Sequence, residues 1–243
     1  MKKQYADLHL TPHSENYAHK SIIGKAYDLG YRVIAISLPK SLSTSEINRL
    51  KRIGKENNVD FVTRVDLSAR RPRELTKILS GLRRKFELIA VICDSKEVSR
   101  QAAKDHRVDL LNYPHFIHRK AFFSDAEARL ASKASAALEI DYAPLLTLKG
   151  SKKIKLMSRL RREAMIARKF HVPIIVSSGA SSELLMRRPR EVVALTSLFD
   201  LDSYSATTAI SESCTAIVKS NRQKLDPSYV APGIKLIKRG KDC

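Results

Sequence analysis

Short apolar runs rich in β-branched residues alternate along this chain with longer segments whose apolar positions recur at helical spacing. The short runs predict strands over 5–10, 33–37, 60–65, 88–93, 110–112, 137–140 and 174–177. The longer segments predict helices over 17–29, 45–57, 73–85, 96–105, 125–133, 152–170, 189–199 and 204–219. Local chemistry supports these limits. Gly30 follows the apolar face of the first helix, Ser43 or Ser45 can cap the second with Glu46 in its first turn, and Pro72 and Pro189 suit first helical positions.

Strands that are almost continuously apolar and alternate with helices indicate a parallel sheet covered by helices. No glycine-rich turn follows the first strand, so a dinucleotide fold is disfavoured and closure is expected. With seven strands and no clear eighth, the prediction is an α/β fold: a distorted TIM-like barrel of about seven parallel βα units, helices outside. One domain over 1–220 is expected, followed by a basic C-terminal tail over 221–243. Three distant cysteines, Cys93, Cys214 and Cys243, lack metal-ligand spacing and suit a reducing compartment. No apolar stretch follows Lys2 and Lys3, and none is long enough to span a membrane, so a cytoplasmic location is expected.

Charge changes this picture from fold to partner. Of 243 residues, 45 are Lys or Arg and 25 Asp or Glu, giving +20. An excess this large costs stability through self-repulsion and points to a polyanionic partner. It is also uneven. Residues 149–190 hold 12 basic residues against Glu163 and Glu183, and residues 64–85 hold eight against Asp66 and Glu74. Arginine recurs in R-R-P-R at 70–73 and again at 187–190, a bias that suits bidentate phosphate contact. Aromatic residues are 6% and tryptophan is absent, which argues for a folded RNA read by shape and backbone rather than for a stacking platform.

The candidate RNA contacts therefore lie mainly on loops after strands: Lys40, Arg64, Arg70, Arg71, Arg73, Lys149, Lys152, Lys153, Arg187, Arg188 and Arg190, with Arg222 near the tail. The loop N-Y-P-H-F-I-H-R-K adds His115, Arg119 and Lys120, with Tyr113 and Phe116 available for stacking. In S-S-G-A-S, Ser177 and Ser178 open a turn that can offer backbone amides to a phosphate. Arg161, Arg162, Arg168 and Lys169 read as the solvated face of a helix whose buried face draws on Ile154, Leu156, Leu160, Met165 and Ile166.

Catalytic signals are weak. There is no Walker loop and no nucleophile elbow. Asp7 and His9 alternate with Leu8 and Leu10 and are expected on one strand face. The opening Y-A-D-L-H-L-T resembles the D-x-H-x-H motif of the PHP metal-dependent phosphoesterases, but Thr11 stands at the second histidine, with His13 beyond a proline and His115 and His118 as a further pair. No catalytic residue and no metal ligand is assigned.

The stretches Y-A-D-L-H-L, A-Y-D-L-G-Y-R-V-I-A-I-S, R-V-D-L-L-N-Y-P, A-L-E-I-D-Y-A-P-L-L, A-R-K-F-H-V-P leading into I-I-V-S-S-G-A, R-R-P-R-E-V-V-A-L-T-S-L-F-D-L and A-I-S-E-S-C-T-A-I-V-K-S-N together resemble the barrel-subunit family of archaeal and eukaryotic ribonuclease P over roughly residues 4–222. The resemblance implies a PHP-like barrel without the full metal set. It also implies membership of the ribonucleoprotein that removes the 5′ leader from precursor tRNA. It implies further that catalysis belongs to the RNA and its magnesium ions and that the chain binds no cofactor. Its implied partners are ribonuclease P RNA, the ferredoxin-like component two and the other protein subunits, with precursor tRNA engaged indirectly. The competing readings are a PHP-type metal-dependent phosphoesterase and a generic basic barrel that binds a protein or an anionic surface.

Overall fold

The computed structural model describes residues 3–12, 16–114, 121–231 and 234–235. Seven strands, β1 (Tyr5–Leu10), β2 (Tyr31–Ser37), β3 (Asp60–Leu67), β4 (Leu88–Ile92), β5 (Leu110–Asn112), β6 (Ala137–Asp141) and β7 (Ile174–Ser177), lie in sequential order, all parallel. The helices between them are α1 (Asn16–Leu29), α2 (Thr44–Glu56), α3 (Pro72–Leu82), α4 (Lys96–Lys104), α5 (Asp125–Ala134), α6 (Ala143–Thr147) and α7 (Gly150–Lys169). After β7 come α8 (Pro189–Thr196), α9 (Ser203–Ala209), α10 (Glu212–Leu225) and an antiparallel pair, β8 (Tyr229–Ala231) and β9 (Ile234–Lys235).

Several elements start where the sequence places them. Ser43 and Glu46 form a reciprocal capping box on α2, Pro72 and Pro189 occupy first turns, and Gly30 takes φ +102° after α1. No eighth strand closes the ring. Instead Gly179 N–H donates to His9 O at 2.9 Å, Thr11 N–H to Ala180 O at 2.8 Å, and Ala6 N–H to Ile210 O at 2.8 Å. That last bond explains a departure from the expected single helix over 204–219. The Ile210 carbonyl leaves the helical ladder to satisfy the β1 edge, and the segment splits into α9 and α10.

The interior has two layers. Small and medium apolar residues fill the half nearest the strand starts: Ala6, Leu8, Val33, Ala35, Val62, Leu88, Ala90, Leu110, Ala137 and Ile175, joined by Cys214 and Val218 of α10. Two residues further along the same strands the inward positions turn polar, to Arg64, Asn112, Glu139 and Ser177. The outward faces, including Ile34, Ile36, Phe61, Ile89, Leu111, Leu138 and Val176, pack against the helices.

α10 thus plugs the N-terminal end of the barrel, and charged contacts fix it there. Arg222 donates to both Asp60 oxygens at 2.7 and 2.8 Å and to Glu87 Oε1 at 2.8 Å. Asn221 Nδ2 donates to Glu87 O at 2.9 Å, and Glu87 Oε2 accepts from the Thr63 amide at 2.8 Å. Two expectations are corrected. The boundary at 220 falls inside α10, so Asn221 is core rather than tail. Arg222 lies at the strand starts, opposite the loops that follow the strands, and its charge is taken up by Asp60 and Glu87. Ile154 and Met165 also differ, standing 65% and 56% exposed on α7 rather than in its buried face.

Arg222→Ala is expected to lower unfolding free energy by about 1–2 kcal/mol, because Glu87 would lose its nearest cation, at 2.8 Å, while Lys51 remains 3.6 Å away. Urea unfolding checks this, and an unchanged midpoint would show that the plug is held by apolar contacts alone.

Candidate nucleic-acid interface

The polar layer at the strand ends is organised around one guanidinium. Arg64 is fully buried. Its Nη1 and Nη2 donate to Glu139 Oε1 and Oε2, each at 2.6 Å, its Nε donates to Asp66 Oδ1 at 2.8 Å, and Nη1 also reaches Leu8 O at 2.6 Å. The fork geometry matches a carboxylate in a way no lysine can. Ser177 Oγ and Asn112 Nδ2 complete the Glu139 carboxylate at 2.9 and 3.1 Å.

His9 enters this layer because β1 slips register between Asp7 and Leu10. Its Nδ1 lies 2.8 Å from Asp141 Oδ1 and its Nε2 lies 3.3 Å from Asp66 Oδ2. Two carboxylates facing both ring nitrogens call for the doubly protonated ring. Burial and Arg64 oppose that charge, but Asp141, Asp66 and Glu139 together hold the imidazole well above its usual pKa. Burial likewise opposes ionisation of Asp66, and Arg64 and His9 outweigh it, keeping the carboxyl well below its ordinary range. Asp141 is lowered too, against its burial, by His9 and by Asn112 Nδ2 at 2.8 Å.

Asp7 does not share this cluster. Its Oδ1 accepts from the amides of His9 at 3.3 Å and Ser178 at 3.0 Å, at the seam between β1 and β7. Burial pushes its pKa up to about 6, partly offset by these bonds. Gly179 completes the seam. At φ +62°, any Cβ there would stand 2.9 Å from the Asp141 side chain.

His9, Glu139 and Asp141 bring ligand atoms within 4.8 Å of one another, a spacing a metal ion could bridge. The residues nevertheless do not fit a metal centre. The Glu139 oxygens accept from Arg64, Ser177 and Asn112, and those of Asp141 face His9 and Asn112. A fixed +1 guanidinium stands where a divalent ion would need to approach. His13, His115 and His118 lie outside the described residues.

Cations stand on the segments that follow four of the seven strands. Lys40 follows β2, Arg70, Arg71 and Arg73 follow β3, Lys149 and Lys152 follow β6, and Arg188 and Arg190 follow β7; all eight are exposed. Lys153 and Arg187 are half-buried.

The model of the RNase P subunit p30 family matches residues 4–226. The chain belongs to that family. It is 30% identical over 229 residues to ribonuclease P protein component 3 of Methanococcoides burtonii, covering 94% of this chain and 91% of the relative. It is 28% identical over 238 residues to the protein of that name from Methanosarcina barkeri, covering 96% and 95%. Its fold matches a chain in the structure of archaeal ribonuclease P with mature tRNA, with a TM-score of 0.84 at 20% identity over 97% of this chain and 100% of that one.

Five of the sequence-derived contacts move. Arg64 is a buried ion-pair centre and is not available to phosphate. Ser177 and Ser178 are buried as well, their hydroxyls donating to Glu139 Oε1 and His9 O, so the turn's amides face the seam rather than a ligand. Arg222 is the plug anchor described above. Arg187 is turned back on its own loop, Nη1 donating to Leu184 O and Met186 O at 2.8 Å. His115, Phe116, Arg119 and Lys120 lie outside the described residues. The cluster itself went unassigned from sequence, although a signal exists. Asp66 and Asp141 each stand two residues after an inward polar residue, at the end of a parallel strand.

Arg64→Met is expected to destabilise the barrel by about 3–5 kcal/mol, since Glu139 would stay charged and buried without its partner. The double variant Arg64→Met with Glu139→Leu should recover part of that loss in urea melts; no recovery would mean that packing rather than charge sets the cost. The pH dependence follows from the same groups. The contribution of His9, whose pKa is raised, is complete below about pH 6.5 and falls away as pH rises through its folded value. The contributions of Asp66 and Asp141, both lowered, are present above the ordinary carboxylate range and disappear as pH falls through their folded values. His9→Gln should flatten the alkaline limb of unfolding free energy against pH while leaving an acid limb; an unaltered alkaline limb would refute the assignment.

Proposed function

We propose that this chain works as an RNA-binding protein subunit of ribonuclease P, supporting the catalytic RNA in removing the 5′ leader from precursor tRNA and performing no bond cleavage of its own. The observation that carries the reading is the family match across residues 4–226. The geometry supports it. The barrel mouth, where a βα barrel usually keeps its reactive groups, is filled by an ion-pair network. The exposed groups around it are cations without catalytic partners. Cations fixed on a rigid frame lower the repulsion between phosphates that an RNA core must bring together, and so lower its need for magnesium.

Ribonuclease P RNA is the principal partner in this reading. The ferredoxin-like component two and the other protein subunits are further partners implied by the family, and mature and precursor tRNA are engaged through the assembly. Magnesium serves the RNA, and the chain carries no metal of its own. Among the described residues, no helix is long and apolar enough to cross a membrane. The metal-dependent phosphoesterase alternative is disfavoured by Arg64, which holds the carboxylates such an enzyme would need.

A leader-removal assay tests this. Alone, the protein should leave precursor tRNA uncut with magnesium or manganese. Added with its partner subunits to the cognate RNA, it should reduce the magnesium needed for cleavage. Replacing Arg70, Arg71, Arg73, Arg188 and Arg190 together by alanine should restore much of that requirement. Cleavage by the protein alone, with stoichiometric metal in elemental analysis, would return the phosphoesterase reading.

A further inference from the structure

The outer wall of the barrel carries a second concentration of charge, away from the mouth. α7 holds eight basic residues against the single acid Glu163, a net +7, whereas no other helix among the described residues exceeds +2. Three of the eight are neutralised locally. Arg159 turns inward to Glu163 at 2.8 Å, Arg161 pairs with Asp200 at 2.8 Å, and Lys169 pairs with Asp125 at 2.9 Å. Lys152, Lys153, Lys155, Arg162 and Arg168 make no ion pair among the described residues. Arg162 is held in place by stacking 5.2 Å over the Phe122 ring, so its charge is presented with little entropy left to lose.

At about 100° per residue these side chains form an ordered face. Ile154, Ser158 and Met165 run along the outermost stripe. Arg161 and Arg168 flank it on one side, and Lys155, Arg162 and Lys169 on the other, all of them exposed. Two cationic rows therefore border a narrow, nearly uncharged line.

We infer that this face of α7 binds the sugar–phosphate backbone of a folded RNA, making the outer wall a second RNA contact beyond the mouth; the inference rests on the ribonuclease P reading above. A protein partner fits less well. Ile154 and Met165 are separated by eleven residues, about 16 Å along the helix, so they form two isolated apolar points and not the contiguous patch that anchors a protein interface. α7 itself supplies no aromatic side chain, and the neighbouring Phe122 and Phe170 rings are taken up by Arg162 and Lys169, which disfavours base stacking and leaves phosphate, ribose and 2′-hydroxyl contacts, the mode by which double-stranded RNA is read. The cations are also poor candidates for mere solubility, since one helix concentrates them while its neighbours stay near balance.

The test compares salt dependence. Dissociation constants for in vitro transcribed ribonuclease P RNA from the same organism are measured by filter binding between low and moderate salt, for the wild-type chain and for Lys155→Ala/Arg162→Ala/Arg168→Ala, with circular dichroism and thermal melts confirming the fold. Removing three phosphate contacts should make the slope of log affinity against log salt shallower by about two to three. The mouth variant Arg70→Ala/Arg71→Ala/Arg73→Ala should lower the slope independently, and the combined variant additively. A folded α7 variant with the wild-type slope would overturn the proposal. So would one that keeps RNA affinity but no longer assembles with a protein subunit, which would make the face a protein interface. Failure of the wild-type chain to bind this RNA with any salt dependence would count instead against the ribonuclease P reading, and the two failures are distinguishable by that control.

Discussion

Arg64 is the interaction on which the barrel depends. Its guanidinium reaches β6 through Glu139, its own strand β3 through Asp66, and β1 through Leu8 O, so one side chain ties together strands on opposite sides of the ring. Burying a lone guanidinium would cost several kcal/mol, as would burying Glu139 alone. Neither cost arises singly, because each is the other's solvent. The arrangement is specific rather than merely stable, since a slip of one residue in β3 or β6 would send one partner to the outer face. Close in on this pair lie Ser177 and Asn112, which add β7 and β5 to the same network, and His9, which gives β1 a second tie.

That network sits on an apolar floor, and the floor explains the C-terminal helices. Four of its inward residues are alanine, Ala6, Ala35, Ala90 and Ala137, which leaves room for Cys214 and Val218 of α10 to fill the N-terminal end. With seven strands the ring is short of one element, and the chain supplies the lack in two places. Ile210 O satisfies the exposed β1 edge, and the Gly179–Ala180 turn satisfies the rest. The helix break at Ile210 is thus set by the sheet rather than by the helix's own sequence.

This also explains which features were legible in advance. Strands buried on both faces read as apolar runs, and all seven were placed within about two residues at most ends. α2, α3 and α8 began where capping and proline chemistry put them. The break between α9 and α10 was illegible because its cause, the Ala6 amide, lies some 200 residues away in sequence. Strict alternation places Asp7 and His9 on one strand face, and the β1 bulge separates them. Arg64 and Arg222 looked like free cations because sequence shows charge but not the carboxylate that meets it. The side chains of Arg70, Arg71, Lys149 and Arg190 are exposed and form no ion pair among the described residues.

The same buried pair bears on the proposed RNA contact through the sign of the field at the mouth. Asp66, Glu139 and Asp141 place three negative charges where phosphates would otherwise approach. Arg64 and protonated His9 offset two of them, leaving a local residue of one, inside a rim of eight exposed cations. Screening at physiological salt acts over about 8 Å, so a phosphate at the rim responds chiefly to the cations nearest it. Were the guanidinium absent, three weakly screened carboxylates in a low-dielectric pocket would compete directly with that rim. Filling the mouth with an internal cation therefore does two things at once. It closes the barrel, and it cancels most of the negative field that a carboxylate-lined pocket would set against the cationic rim.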